Sequence, residues 1–70
     1  MENLTRLFPI GQKVKYMDKE PWETKPRMYK GIVVESYEDH VIVDVPQISD
    51  HMWFEEGFNL EQLYIDYGES

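Results

Sequence analysis

Gly31-Ile-Val-Val-Glu-Ser-Tyr-Glu-Asp-His-Val-Ile-Val-Asp-Val-Pro46 consists of two β-branched runs joined by polar residues, with room for the chain to reverse around Glu38 and Asp39. In the second run Val41, Val43 and Val45 alternate with Ile42 and Asp44, the period of two expected of a strand with one buried side. Pro46 has no N–H for a ladder and ends that strand. In the first run Ile32, Val33 and Val34 are consecutive, so periodicity leaves open which of them faces inward. The stretch reads as an antiparallel hairpin.

Upstream, Gly11 to Asp18 alternates Val14 and Tyr16 against Lys13 and Lys15. It predicts a strand with its lysines in water, entered through a turn at Pro9-Ile10-Gly11. Lys19 to Met28 contains Pro21 and Pro26, which cannot donate to a ladder, and is expected to be a loop. Downstream, Gln47 to Asp50 connects to a strand at His51 to Glu55 that Gly57 terminates. Asn59 is placed to cap one short 3-10 turn through Leu60 to Leu63, and Tyr64 to Tyr67 has the composition of a closing strand. Residues 1–8 form an arm in which Phe8 has a docking role but Met1 to Arg6 show no signal for order. Residues 68–70 are expected to fray.

The resulting order over residues 9–67 is strand, long loop, strand, tight turn, strand, loop, strand, one 3-10 turn, strand. It predicts an all-β chain, a small five-stranded SH3-like barrel, because five short strands nearly closed on themselves give a small core without long exposed edges. Four segments also carry a family likeness: Gly11 to Val14, Gly31 to Val33, Val41 to Asp44, and Leu60 to Tyr64. Through them the chain resembles small SH3-like β-barrel proteins found among open reading frames of unassigned role in phages and mobile elements of Gram-positive bacteria. The resemblance implies the fold and no particular chemistry. The ring motifs with which eukaryotic SH3 domains hold proline-rich peptides do not recur: Trp53 is followed by Phe54, and Tyr64 to Tyr67 lies at the other end of the chain.

Seventy residues make one domain, and a chain of this size buries only ~60% of its unfolded surface. With no cysteine, neither disulfides nor thiolate-bound metal can reinforce it. Ten aromatic residues supply the compensating apolar area. No apolar run reaches the length a bilayer requires, and the amino terminus lacks the layout of a secretory signal, so a cytoplasmic location is expected.

Charge is distributed unevenly. The basic residues Arg6, Lys13, Lys15, Lys19, Lys25, Arg27 and Lys30 all lie in the first thirty positions, where seven bases against four acids leave +3. The other forty positions hold ten acids and no base, for a total of −7. Such a field draws cationic partners and repels polyanions, so direct nucleic-acid binding is disfavoured.

Catalytic and metal chemistry find little footing. His51 and Glu55 lie about 13 Å apart along a strand at ~3.3 Å per residue, too far to share an ion, and the chain has only two histidines. The neighbouring pairs Glu55-Glu56 and Glu38-Asp39 have no geometry that forces two carboxyls together. Ser36, Ser49 and Ser70 lie outside any nucleophile motif, and no phosphate loop is present. No enzyme activity, cofactor or metal is expected.

Trp53 and Phe54 are adjacent in a strand and cannot both point inward. One of them should stand out, flanked by Asp50, Glu55 and Glu56, as an aromatic anchor within an anionic rim; Trp22, in the proline-bearing loop, is a second candidate. The expected function is a non-enzymatic protein-binding module, a phage or mobile-element accessory factor that docks an acidic aromatic face on a basic partner protein. The alternatives are an acidic DNA mimic that inhibits a DNA-binding protein, and a small structural subunit that self-associates through a strand edge. The expected state is a monomer or weak homodimer.

Overall fold

Alternation in the second arm of the hairpin carries directly into the tertiary structure. The computed structural model of the chain describes residues 3–68, and in it Val41, Val43 and Val45 are wholly buried while Asp44 is half-buried on the other face. Their strand, β3 (His40–Val45), lies between β2 (Arg27–Ser36) and β4 (Ser49–Glu55). Next to β2 comes β1 (Lys13–Asp18), and β5 (Leu63–Ile65) completes the sheet in the order β4-β3-β2-β1-β5. Every neighbouring pair is antiparallel. A 3-10 turn at Leu60–Gln62 precedes β5, as the sequence predicts.

A single sheet has no second layer to cover it, so its inner face stays dry only if the sheet curls. Tyr16 on β1 meets Phe54 on β4 edge to face, with ring centroids 5.5 Å apart. In a flat sheet three spacings of ~4.8 Å would hold those strands roughly 14 Å apart. Inside the curl, Val14, Val33, the three valines of β3, Phe54 and Leu63 form one apolar core. β4 and β5 do not pair with each other among the described residues, so the sheet is open.

Two irregularities reset the side-chain alternation. Between Val33 and Glu35 the register with β3 shifts, making Val34 an extra, bulged residue. Val33 is therefore the inward member of the Ile32-Val33-Val34 run, and Ile32, Val34 and Glu35 all stand on the outside. Between Val45↔Ser49 and Val43↔Met52 the additional residue lies on β4. Gly31 occupies an inward position on β2 that no larger residue would fit: a Cβ there would lie 2.7 Å from the Asp44 carbonyl oxygen and 3.0 Å from methyls of Val43 and Val45.

Several element boundaries differ from the sequence reading. β2 begins at Arg27, so the expected loop through Met28 is shorter; Pro26 sits just before the strand, where a missing N–H costs nothing. β4 starts at Ser49 rather than His51, and β5 spans Leu63–Ile65 rather than Tyr64 to Tyr67, with Asp66 N–H donating to the Lys13 carbonyl at 2.9 Å just beyond it. The amino-terminal arm contains a helical turn, α1 (Leu4–Leu7), capped by the Asn3 side chain, which accepts from Thr5 N–H. Leu4 and Phe8 join the core, and Leu4 N–H donates to the Glu38 carbonyl at 3.2 Å, tying the arm to the β2–β3 turn. A helix this short has no readable periodicity, and burial of Leu4, worth about 1.5–3 kcal/mol, is what holds it. Of the arm and the tail, positions 1, 2, 69 and 70 lie outside the described residues.

Candidate binding face

The bulge at Val34 decides what the outer face of the β2–β3–β4 region carries. Without the extra residue Glu35 would point inward; with it, Glu35, Ile42 and Trp53 lie side by side across three strands. Strand alternation places His40 on the same face as Ile42, directly across from Glu55. Tyr37 sits at the other side of the tight reversal, where its N–H donates to the His40 carbonyl at 2.9 Å.

These positions bring three rings into a ladder. His40 stacks on Trp53 with centroids 4.0 Å apart and planes 7° from parallel, and Tyr37 stacks on the other face of His40 at 4.5 Å and 20°. The imidazole in the middle is mostly covered, whereas Tyr37 and Trp53 are 45% and 50% exposed. Ile42, though on the outer face, is buried in the row between Glu35 and Trp53. Aromatic pairs of this kind contribute about 0.5–1.5 kcal/mol each beyond their buried area, so the ladder is a preformed surface.

Each ring is held at its edge by a carboxylate. The Tyr37 hydroxyl donates to Glu35, His40 Nδ1 lies 2.8 Å from Asp39 Oδ1, and Trp53 Nε1–H donates to Glu55 Oε1 at 3.1 Å. The hydrogen bond to Glu35, followed by that carboxylate's charge, raises the Tyr37 phenol above its ordinary value of 10.0. The contact with His40 holds the Asp39 carboxyl below its ordinary 3.8. The β4 backbone under Trp53 is fixed as well. Asn59 Nδ2–H donates to the Trp53 carbonyl and Asn59 Oδ1 accepts from Glu55 N–H, both at 2.8 Å. Asn59 was expected to cap the 3-10 turn; its side chain makes no capping bond and satisfies the free edge of β4 instead.

Of the residues expected to form the site, Trp53 is the outward ring and Phe54 is fully buried, so the alternation resolves in favour of Trp53. Glu55 belongs to the rim. Glu56 is exposed beside it, its N–H donating to the Asp39 carbonyl at 3.1 Å. Asp50 lies at the far, irregular end of β4, with its carboxylate 3.2 Å from His51, away from the ladder. Trp22 is 79% exposed in the β1–β2 loop and does not cover the end of the sheet. That loop is drawn closed by Arg27, which donates to Glu23 at 2.6 Å and lies 3.5 Å from Asp18. Glu23 is held below its ordinary 4.5, first by a backbone hydrogen bond at Glu20 and then by Arg27.

Glu35, Tyr37, Asp39 and His40 were missing from the expected site. Tyr37 and His40 could have been found, since residues that bracket a tight reversal emerge on the same side of a hairpin. Glu35 could not, because a bulge leaves no mark in a run of three β-branched residues.

The lysines occupy a different part of the outer surface. Lys15 on β1 lies across from Lys30 on β2 and Tyr64 on β5, and among the described residues Lys13, Lys15 and Lys30 enter no ion pair. Two open concavities complete the surface: one of about 500 Å³ lined by Phe8, Phe58, Leu60 and Leu63, with Glu61 as its one ionisable group, and one of about 440 Å³ where Lys13 and Lys30 face Asp44 and Asp66. Among the described residues no three His, Asp or Glu side chains converge to hold a metal, and no helix is long and apolar enough to cross a membrane.

Comparison with known proteins finds no matching family model, curated protein or solved structure.

Proposed function

We propose that the chain is a non-enzymatic, cytoplasmic protein-binding module, monomeric or weakly dimeric, that docks its acidic aromatic face on a partner with a basic surface. The observation that carries this reading is the Tyr37–His40–Trp53 ladder, whose outer rings are exposed and whose three edging carboxylates form no ion pair with a lysine or arginine among the described residues. Rigid rings lose little entropy on binding and supply the lasting contact, while uncompensated carboxylates speed the encounter with a cationic surface. The strand order, the curl and the 3-10 turn before β5 support an SH3-like barrel; an accessory role of the phage or mobile-element kind rests on the sequence resemblance alone.

Neither concavity brings a serine or threonine together with a histidine, so the geometry favours docking over acyl-transfer chemistry. A DNA mimic needs carboxylates in rows on an otherwise polar face; here ring faces and Ile42 lie between them. Self-association through the edge of β4 is opposed by Asn59, which already occupies that edge at Trp53 and Glu55.

Calorimetric titration with a short peptide rich in both lysine and arginine tests the reading. Wild type is expected to bind it, and Trp53→Ala to weaken binding about tenfold or more. Equal affinity in the two proteins removes the aromatic anchor, and no binding by wild type at low salt removes the basic partner.

A further inference from the structure

The ring ladder is built to be extended by one more plane. Successive ring centroids lie 4.0 and 4.5 Å apart, with planes 7° and 20° from parallel, and the stack ends on Trp53, which is half exposed. The carboxylate at the edge of that ring is pinned in position. Glu55 Oε1 takes the indole N–H at 3.1 Å, and Oε2 makes no hydrogen bond among the described residues. At the opposite end Tyr37 presents the same pairing, an exposed ring whose hydroxyl fixes Glu35.

A ligand for such an end must be flat, cationic and able to donate hydrogen bonds from its edge while its face lies on a ring. Guanidinium meets all three requirements: it is planar, weakly hydrated, stacks on aromatic faces and donates a fork of N–H groups matched to a carboxylate. A lysine ammonium meets one, being a strongly hydrated point charge with no face to stack. Residues 31–70 contain no arginine or lysine, so this half of the chain has no internal cation that would compete for the position.

From this geometry we propose that the Trp53 end of the ladder is an arginine-binding site, in which the guanidinium of a partner protein stacks on the indole as the fourth plane and donates to Glu55. The proposal rests on the docking reading above and narrows its partner to one that presents arginine. Tyr37 with Glu35 offers a second, equivalent position, so a segment carrying two arginines can grip both ends of the ladder.

Two otherwise identical short peptides, one with arginine and one with lysine at every basic position, separate the possibilities. In a Trp22→Phe background the indole fluorescence reports Trp53 alone. The arginine peptide is expected to perturb that fluorescence and to bind about tenfold more tightly than the lysine peptide. Glu55→Gln should erase most of that preference while leaving weak binding to both peptides. Trp53→Phe keeps a ring and should retain part of the preference; Trp53→Ala should lose it, with circular dichroism confirming that each variant is folded. Equal affinity for the two peptides, with Trp53 responding to both, overturns the arginine site and leaves the basic-partner reading standing. A Trp53 signal unmoved by either peptide overturns both.

Discussion

Truncating Phe54 and truncating Trp53 should have opposite consequences, because the strand turns one ring into the core and the other toward solvent. Phe54→Ala removes a fully buried ring that touches Tyr16 and should cost about 3–5 kcal/mol, most of the margin of a domain this small, as read by urea denaturation. Trp53→Ala should cost less than half as much and act on binding instead. At Gly31 the limiting factor is space: Gly31→Ala sets a methyl 2.7 Å from the Asp44 carbonyl oxygen and should destabilise by about 1–3 kcal/mol, seen as a lower thermal midpoint. Tyr37 links the ladder to pH. Its folded-state pKa is raised, so its hydrogen bond to Glu35 contributes fully below pH 10.0 and is lost as pH climbs above that value through the folded pKa. Burial, and then the charge of Asp18, raise the Tyr16 phenol as well, so absorbance titration of tyrosinate should show a late-ionising phase whose amplitude Tyr37→Phe reduces; an unchanged amplitude would assign the late phase to Tyr16 alone.

At the level of elements, the free edge of β4 is protected by the turn that follows it. Asn59 bonds to the Trp53 carbonyl and the Glu55 N–H much as a neighbouring strand would. Asn59→Ala leaves both groups open and should cost about 1–2 kcal/mol, with dimers appearing in sedimentation as concentration rises. A strictly monomeric variant of unchanged stability would show that the bridge does not guard the edge. The bulge in β2 acts at the same scale, since one inserted residue transfers Glu35 from the inner face to the outer and thereby supplies the carboxylate that fixes Tyr37. The arm shows the converse dependence, with α1 held in place by Leu4 in the core and by its bond to the β2–β3 turn.

Across the whole molecule the sheet's lysines and the carboxylates of the ladder lie in different regions, with Asp44 and Asp66 bordering the lysines. Lys13, Lys15 and Lys30 share the outer surface of β1 and β2, and Glu35, Asp39 and Glu55 edge the ladder at the β3–β4 end. Lys15 opposite Lys30 places like charges in a cross-strand pair, which costs stability but keeps the cations away from the acidic rim. Association with a basic peptide should therefore be steered. Its on-rate, followed by stopped flow, is expected to fall about tenfold between low and physiological salt while the off-rate changes little. A salt-independent on-rate would place the recognition in apolar contact alone.

Valine alternation in β3, the two proline-marked boundaries and the turn at Glu38 and Asp39 were legible in the chain because a period of two and a missing N–H are local properties. They determined an antiparallel β protein with five strands and a final 3-10 turn, and the adjacency of Trp53 and Phe54 determined that one ring would face out. Which ring, which of three consecutive β-branched residues, and which carboxylates would edge the site depended on register, bulges and curl. Those are settled by pairings between strands, such as Tyr16 with Phe54 and Glu35 with Ile42, which no local pattern encodes.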